Sequence, residues 1–206
     1  MRTFLANLAT SVMERRDQLN GLDASCGDGD FGIGMYLGFK NVQRAIEEET
    51  SQDIGALLER SGQAIISSVG GAAGPLFGTL FIEMGKVAKG KTVIELGDLA
   101  TMFEISLERI RLLGKAKAGD KTLVDALEPA VRSLRESTEQ KLETLPALEA
   151  AAQAANHGCE STRDLVAKHG KARYLGEQTL SHIDPGAYVI RIIFESLLGT
   201  CRSYNS

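Results

Sequence analysis

Leu22-Asp23-Ala24-Ser25-Cys26-Gly27-Asp28-Gly29-Asp30-Phe31-Gly32 decides the fold class of this chain. Read as Gly27-x-Gly29-x-x-Gly32, it matches the fingerprint by which a parallel α/β sheet binds dinucleotides, and that motif must follow a strand. No strand-like alternation precedes it, and Asp28 and Asp30 would face a pyrophosphate with like charge. The α/β reading falls, and the stretch becomes a glycine-loosened loop between helices. An EF-hand loop starting at Asp28 fails too, because Gly32 stands where a third ligand is wanted and Phe39 where the bidentate Glu belongs. What remains is three carboxylates within eight residues. Asp23, Asp28 and Asp30 repel one another around an empty space, and a hard divalent cation removes that penalty. On spacing alone, a solvated Asp-Gly turn accounts for the same residues equally well.

Outward from this loop, apolar residues recur at the helical spacing of three to four. Leu5, Leu8, Val12 and Met13 form one face, Leu57, Leu58 and Ile65 another, and Val189, Ile192, Ile193 and Leu197 a third. The pattern predicts an all-α chain with eight helices, at about 3–19, 33–48, 53–67, 76–89, 97–113, 122–141, 145–168 and 186–202. Thr92 to Leu96 alone would pass as a strand. Thr122 with Asp125 three residues on resembles a capping box, and Asp184-Pro185 sets a capping acceptor before a proline that can open a helix. The alanine-rich run 147–155 favours helix, with Asn156-His157-Gly158 as a candidate interruption.

The chain has 206 residues, 43% hydrophobic and 24% charged, which suits one domain over 1–206 with one core. A net charge of -4 leaves no basic footprint for nucleic acid, and no apolar run is long enough to span a membrane. Three widely spaced cysteines, Cys26, Cys159 and Cys201, form no Cys-x-x-Cys pair and read as free thiols of a reducing, cytoplasmic setting.

Glycine-rich interruptions fall at 27–34, 70–78, 114–122 and 170–186, each beside a helix start. Helix N-termini present unpaired N–H groups and the positive end of the macrodipole, so several at one end of a bundle would form an anion pocket. Taken singly, each has a plainer account. Gly70-Gly71-Ala72-Ala73-Gly74-Pro75 also suits a tight helix junction. Gly114-Lys115-Ala116-Lys117-Ala118-Gly119-Asp120-Lys121-Thr122 misses a P-loop by one residue and follows a helix, so it reads as a helix end and the next cap. Lys171, Arg173 and the lone His182 supply cations or packing. No Ser, His and Asp set or Cys and His pair points to a nucleophile.

In order and spacing, four of these segments resemble the nucleotide-binding L subunit, or L domain, of dihydroxyacetone kinases. The residues that carry the resemblance are Asp23 to Gly32, Gly70 to Pro75, Gly119-Asp120-Lys121-Thr122 with Asp125-Ala126-Leu127, Tyr174-Leu175-Gly176-Glu177, and Asp184-Pro185-Gly186-Ala187. The resemblance implies an eight-helix antiparallel barrel with the nucleotide and Mg²⁺ at one end. Asp23, Asp28 and Asp30 would hold two Mg²⁺ ions. Phe31, Gly32, Ile33, Gly34, Gly71, Ala72, Ala73, Gly74, Gly114, Thr122, Leu123, Lys171, Asp184, Pro185 and Gly186 would surround ADP or ATP.

It further implies half an enzyme. A separate K subunit would carry the ketose covalently on its own histidine, and this chain would present the phosphoryl group. A phosphotransferase-system protein would recharge bound ADP from phosphoenolpyruvate, with direct use of ATP or another short ketose as the alternative. A transcription regulator and a second copy of the chain complete the expected partners, and a non-catalytic nucleotide sensor is the competing reading. The metal loop of fatty-acid kinases resembles Asp-Gly-Asp-Thr-Gly, and Phe31 with the Asp-Pro-Gly-Ala segment argues against that relation. Against the family pattern, Phe31 replaces a usual His, Ala73 a serine, and Lys171 an arginine, so a hydroxyl and a guanidinium fork are absent here.

Overall fold

In a computed structural model of the chain, residues 1–205 are described. They form nine α-helices: α1 (Arg2–Glu14), α2 (Arg16–Ala24), α3 (Phe31–Glu48), α4 (Ile54–Ser68), α5 (Ala73–Val87), α6 (Leu96–Gly114), α7 (Leu123–Glu139), α8 (Thr144–Ser161) and α9 (Pro185–Asn205). Two 3-10 segments, Thr162–Asp164 and Ala172–Thr179, lie between α8 and α9. No helix among the described residues is long and apolar enough to cross a membrane.

The helices close a ring. Starting from α1, packing runs to α3, α4, α5, α6, α7, α8 and α9, and α9 returns to α1. The short α2 continues α1 past a break at Arg15 and lies against α3. Each amphipathic stripe points into this ring, where Phe39 meets Phe81 edge-on at 6.4 Å and Phe103 stacks on Phe194 at 4.8 Å. Such aromatic pairs favour offset or edge geometry because of the ring quadrupole.

Helices α4 and α5 approach closely where glycines recur seven residues apart on both. A Cβ placed on Gly62 would meet the Gly78 carbonyl at 2.6 Å, and one on Gly55 the Gly85 carbonyl at 2.6 Å. The two backbones are in contact, and no larger residue fits at either crossing.

Alternate connections gather at one end of the ring. The α2–α3, α4–α5, α6–α7 and α8–α9 loops share one cavity, whereas the Gly90 N–H donates to Asp53 at the opposite end. That alternation is what an up-and-down order of helices produces.

Several sequence expectations change. The helix expected at 3–19 is broken at Arg15 and carried on to Ala24. Residues 92–95 form no strand, and Leu96 already opens α6. Asn156-His157-Gly158 does not interrupt α8. Gly158 is a packing residue, since a Cβ there would lie 2.3 Å from the Asp125 carbonyl on α7. The helix expected to reach 168 ends at Ser161, where the 3-10 turn begins.

Candidate functional site

Asp23 closes α2 and folds back over the next loop. Its Oδ2 accepts from the N–H groups of Gly29 at 2.9 Å, Asp30 at 3.1 Å and Phe31 at 3.3 Å. This leaves Oδ1 for another partner, and Gly27 makes room for it, since a Cβ there would lie 2.3 Å from that atom. Asp30 stands at the N-cap position of α3 without a side-chain capping bond, because Asp23 and Asn20 satisfy the first amides instead. One carboxylate oxygen from each of Asp23, Asp28 and Asp30 lies within 4.8 Å of the others. Asp28 and Asp30 are exposed and Asp23 partly so. Three hard oxygen donors in this arrangement fit Mg²⁺, which uses a few carboxylates and completes its shell with water and phosphate.

This triad lies at one side of a cavity of about 550 Å³. The rest of the lining includes an apolar set, Phe31, Ile33, Leu37, Leu76, Phe77 and Leu123. Gly70, Gly71, Ala72 and Ala73 bring in the start of α5, which has no side-chain cap. The amides of Ala73 and Gly74 therefore keep their donor capacity, and Pro75 has no N–H to satisfy. In contrast, Thr122 and Asp125 cap α7 reciprocally, and Asp184 accepts from the Ala187 N–H at 2.7 Å at the start of α9. An uncapped helix start beside a carboxylate triad suits a polyanion bridged by metal.

Charge around the cavity is graded by burial. The exposed Lys171 donates to Asp28, and this bond holds the Asp28 carboxyl below and the Lys171 amine above their ordinary ranges. Lys121 is only 4% exposed and donates to the carbonyls of Thr162 and His182. Burial lowers its pKa. Asp184 keeps some surface open, yet its carboxyl sits deep among packed atoms, and desolvation pushes it up to about 7. Burial also raises the Cys26 thiol, so it stays protonated and is no ready nucleophile.

Beneath the rim, burial pushes Asp120 up, but bonds from the Lys117 N–H, Lys168 and His169 outweigh it and hold the carboxyl at about 2. His169 meets Asp120 at 3.1 Å and lines the cavity.

Of the residues anticipated from sequence, the three aspartates and Phe31, Ile33, Gly34, Gly71, Ala72, Ala73, Thr122, Leu123, Lys171, Asp184, Pro185 and Gly186 line this cavity. Gly32, Gly74 and Gly114 do not. Gly32 is pressed against the Arg16 carbonyl, Gly74 against the Val69 carbonyl, and Gly114 stands behind Leu76. Sequence reasoning missed Cys26, Lys121, His169 and the apolar Leu37, Leu76 and Phe77. Leu37 and Leu76 carry a detectable signal, one turn beyond Ile33 and Ala72. Lys121 stands in the Gly119-Asp120-Lys121-Thr122 motif, but only the fold turns it inward.

A family model described as the DAK2 domain matches residues 25–199. The ADP-binding subunit DhaL of the PEP-dependent dihydroxyacetone kinase of Escherichia coli (strain K12) is 40% identical over 181 residues, covering 88% of this chain and 86% of that one. The ADP-binding subunit DhaL of PEP-dependent dihydroxyacetone kinase 2 of Listeria innocua is 37% identical over 201 residues, covering 94% and 92%. Among solved structures, the dihydroxyacetone kinase of C. freundii in complex with AMP-PNP and Mg²⁺ superposes with a TM-score of 0.74 at 24% identity. That match covers 97% of this chain and 33% of the kinase, so the chain spans about one third of its length. At this identity the likeness concerns the fold.

Proposed function

This chain belongs to the DAK2 domain family, and from that premise we propose that it is the ADP-binding, phosphoryl-transferring subunit of a phosphoenolpyruvate-dependent dihydroxyacetone kinase. One observation carries the reading. The Asp23, Asp28 and Asp30 oxygens converge in the same cavity as the uncapped start of α5 and an apolar slot. In this reading the adenine lies against Ile33, Leu37, Leu76 and Leu123, and the phosphates lie between the aspartates and the 70–73 amides. The three aspartates would hold two Mg²⁺ ions, which would supply positive charge to the phosphate oxygens.

The protein's own part is positioning. Asp23 is fixed by three backbone amides, and Asp28 and Asp30 are carried by the loop those amides hold closed. The helix-end amides orient the phosphate chain, and Lys171 covers the open side. Phosphoryl transfer needs placement and charge neutralisation more than a covalent group from the protein. The acceptor, a short ketose held covalently on a histidine of a separate K subunit, approaches from that side. A phosphotransferase-system protein then recharges the ADP in place.

The test is to denature the purified protein and quantify what it releases. Near-stoichiometric ADP with about two Mg²⁺ per chain is expected. Empty protein that also fails to bind added Mg²⁺ and ADP would overturn the reading.

A further inference from the structure

Lys121 is a buried cation with no ion-pair partner among the described residues. Its side chain is buried and lines the cavity, and its ammonium donates to the Thr162 and His182 carbonyls. No carboxylate among the described residues lies within ion-pair distance of it. Asp184 at the start of α9 and Asp125 on α7 act on it through space, but neither forms an ion pair with it. Their oxygens are taken up by backbone amides, Asp125 by those of Gly119 and Thr122 at 2.6 Å and 2.7 Å, and Asp184 by that of Ala187 at 2.7 Å.

The backbone holds Lys121 in place at a cost. Its φ is 59°, in the left-handed region that side chains other than glycine rarely adopt. The reciprocal cap of Thr122 and Asp125 directly follows and fixes the chain there. A buried ammonium with no ion-pair partner is expensive, and an anion entering the cavity would offset that cost. An ammonium has three N–H donors, and the two carbonyls occupy two of them.

We infer that the Lys121 ammonium is a phosphate-recognising charge of the nucleotide cavity, contacting the polyphosphate in addition to Lys171. The inference rests on the nucleotide reading above and adds a residue to it. Lys171 is exposed and acts at the rim, whereas Lys121 is dry and fixed. A charge-assisted bond in such surroundings is stronger than one at the surface.

The experiment compares ADP and adenosine binding, each with Mg²⁺, in the whole protein and in Lys121→Met and Lys121→Arg. We expect Lys121→Met to lose about 10- to 100-fold in ADP affinity while adenosine affinity stays within about twofold, and Lys121→Arg to recover part of the loss. Parallel loss of both ligands would reduce Lys121 to a packing role and overturn the inference, as would unchanged ADP affinity. If Lys121→Met does not fold, wild-type protein labelled with ¹³C at lysine Cε decides. The Lys121 resonance, assigned with Lys121→Arg, should move on adding ADP and not on adding adenosine, and a resonance that ignores ADP would overturn the inference. Wild-type protein that binds no ADP would remove the nucleotide reading itself, a result separate from any effect of the variants.

Discussion

Lys171 and Asp28, 143 residues apart in sequence, are joined by a hydrogen-bonded ion pair across the mouth of the cavity. The bond latches the α8–α9 connection onto the metal loop. It also sets an ammonium beside one of three carboxylates that would otherwise stand uncompensated.

Because the ammonium competes with a cation for Asp28, Lys171→Ala should bind Mg²⁺ more tightly than wild type in the absence of nucleotide. The same variant should hold ADP less tightly. Calorimetric titration reads both, and weaker Mg²⁺ binding would show that Lys171 does not compete. Lys171→Arg should tighten ADP binding, since a guanidinium offers a planar fork to phosphate where an ammonium offers a point charge.

Asp30 carries no capping bond, so Asp30→Asn should abolish Mg²⁺-dependent phosphoryl transfer and leave the helical circular dichroism unchanged. Without metal, its melting temperature should equal or exceed that of wild type, because one repulsive charge is gone. An active Asp30→Asn protein would sink the metal assignment.

The raised pKa of Asp184 makes stability depend on pH in a defined direction. The folded state binds this proton more tightly than the unfolded chain does. The associated stabilisation is therefore full below the unfolded value near 4 and is lost as pH rises through about 7. With water reaching part of the cavity, the effect is on the order of 2 kcal/mol. Denaturant melts in chelator without nucleotide should show this slope in wild type. Asp184→Asn should flatten it and be the more stable protein at pH 8.

At the α4–α5 crossing, Gly62→Ala places a methyl 2.6 Å from the Gly78 carbonyl. Overpacking of this kind costs about 1–3 kcal/mol, which at this chain length corresponds to roughly 3–10 °C in Tm. Gly199→Ala, where a Cβ meets nothing within 4 Å, is the control and should melt at or above wild type.

Much of this architecture was legible beforehand because it rests on local rules. A period of three to four residues identifies helices whatever they pack against, and the caps at Thr122 and Asp184 lie in adjacent residues. Where a longer-range contact intervened, the reading slipped. Gly158 resembled a helix breaker but is the gap into which α7 fits, and Gly32 and Gly74 resembled ligand contacts but are pressed against backbone carbonyls. A glycine kept for close approach and one kept for a turn look the same in one dimension.

By itself, the sequence determined that the chain is helical and that three aspartates share one short loop. It also determined, through motif order, which family the chain belongs to. These are properties of residues near one another along the chain. Closure of the ring, and the identity of the helix start left uncapped beside the aspartates, were decided only by tertiary structure. So were the pairing of Lys171 with Asp28 and the burial of Lys121 without an ion-pair partner. Those properties depend on which distant segments come together and exclude water, and on that alone depends whether an ammonium stands in solvent or is buried.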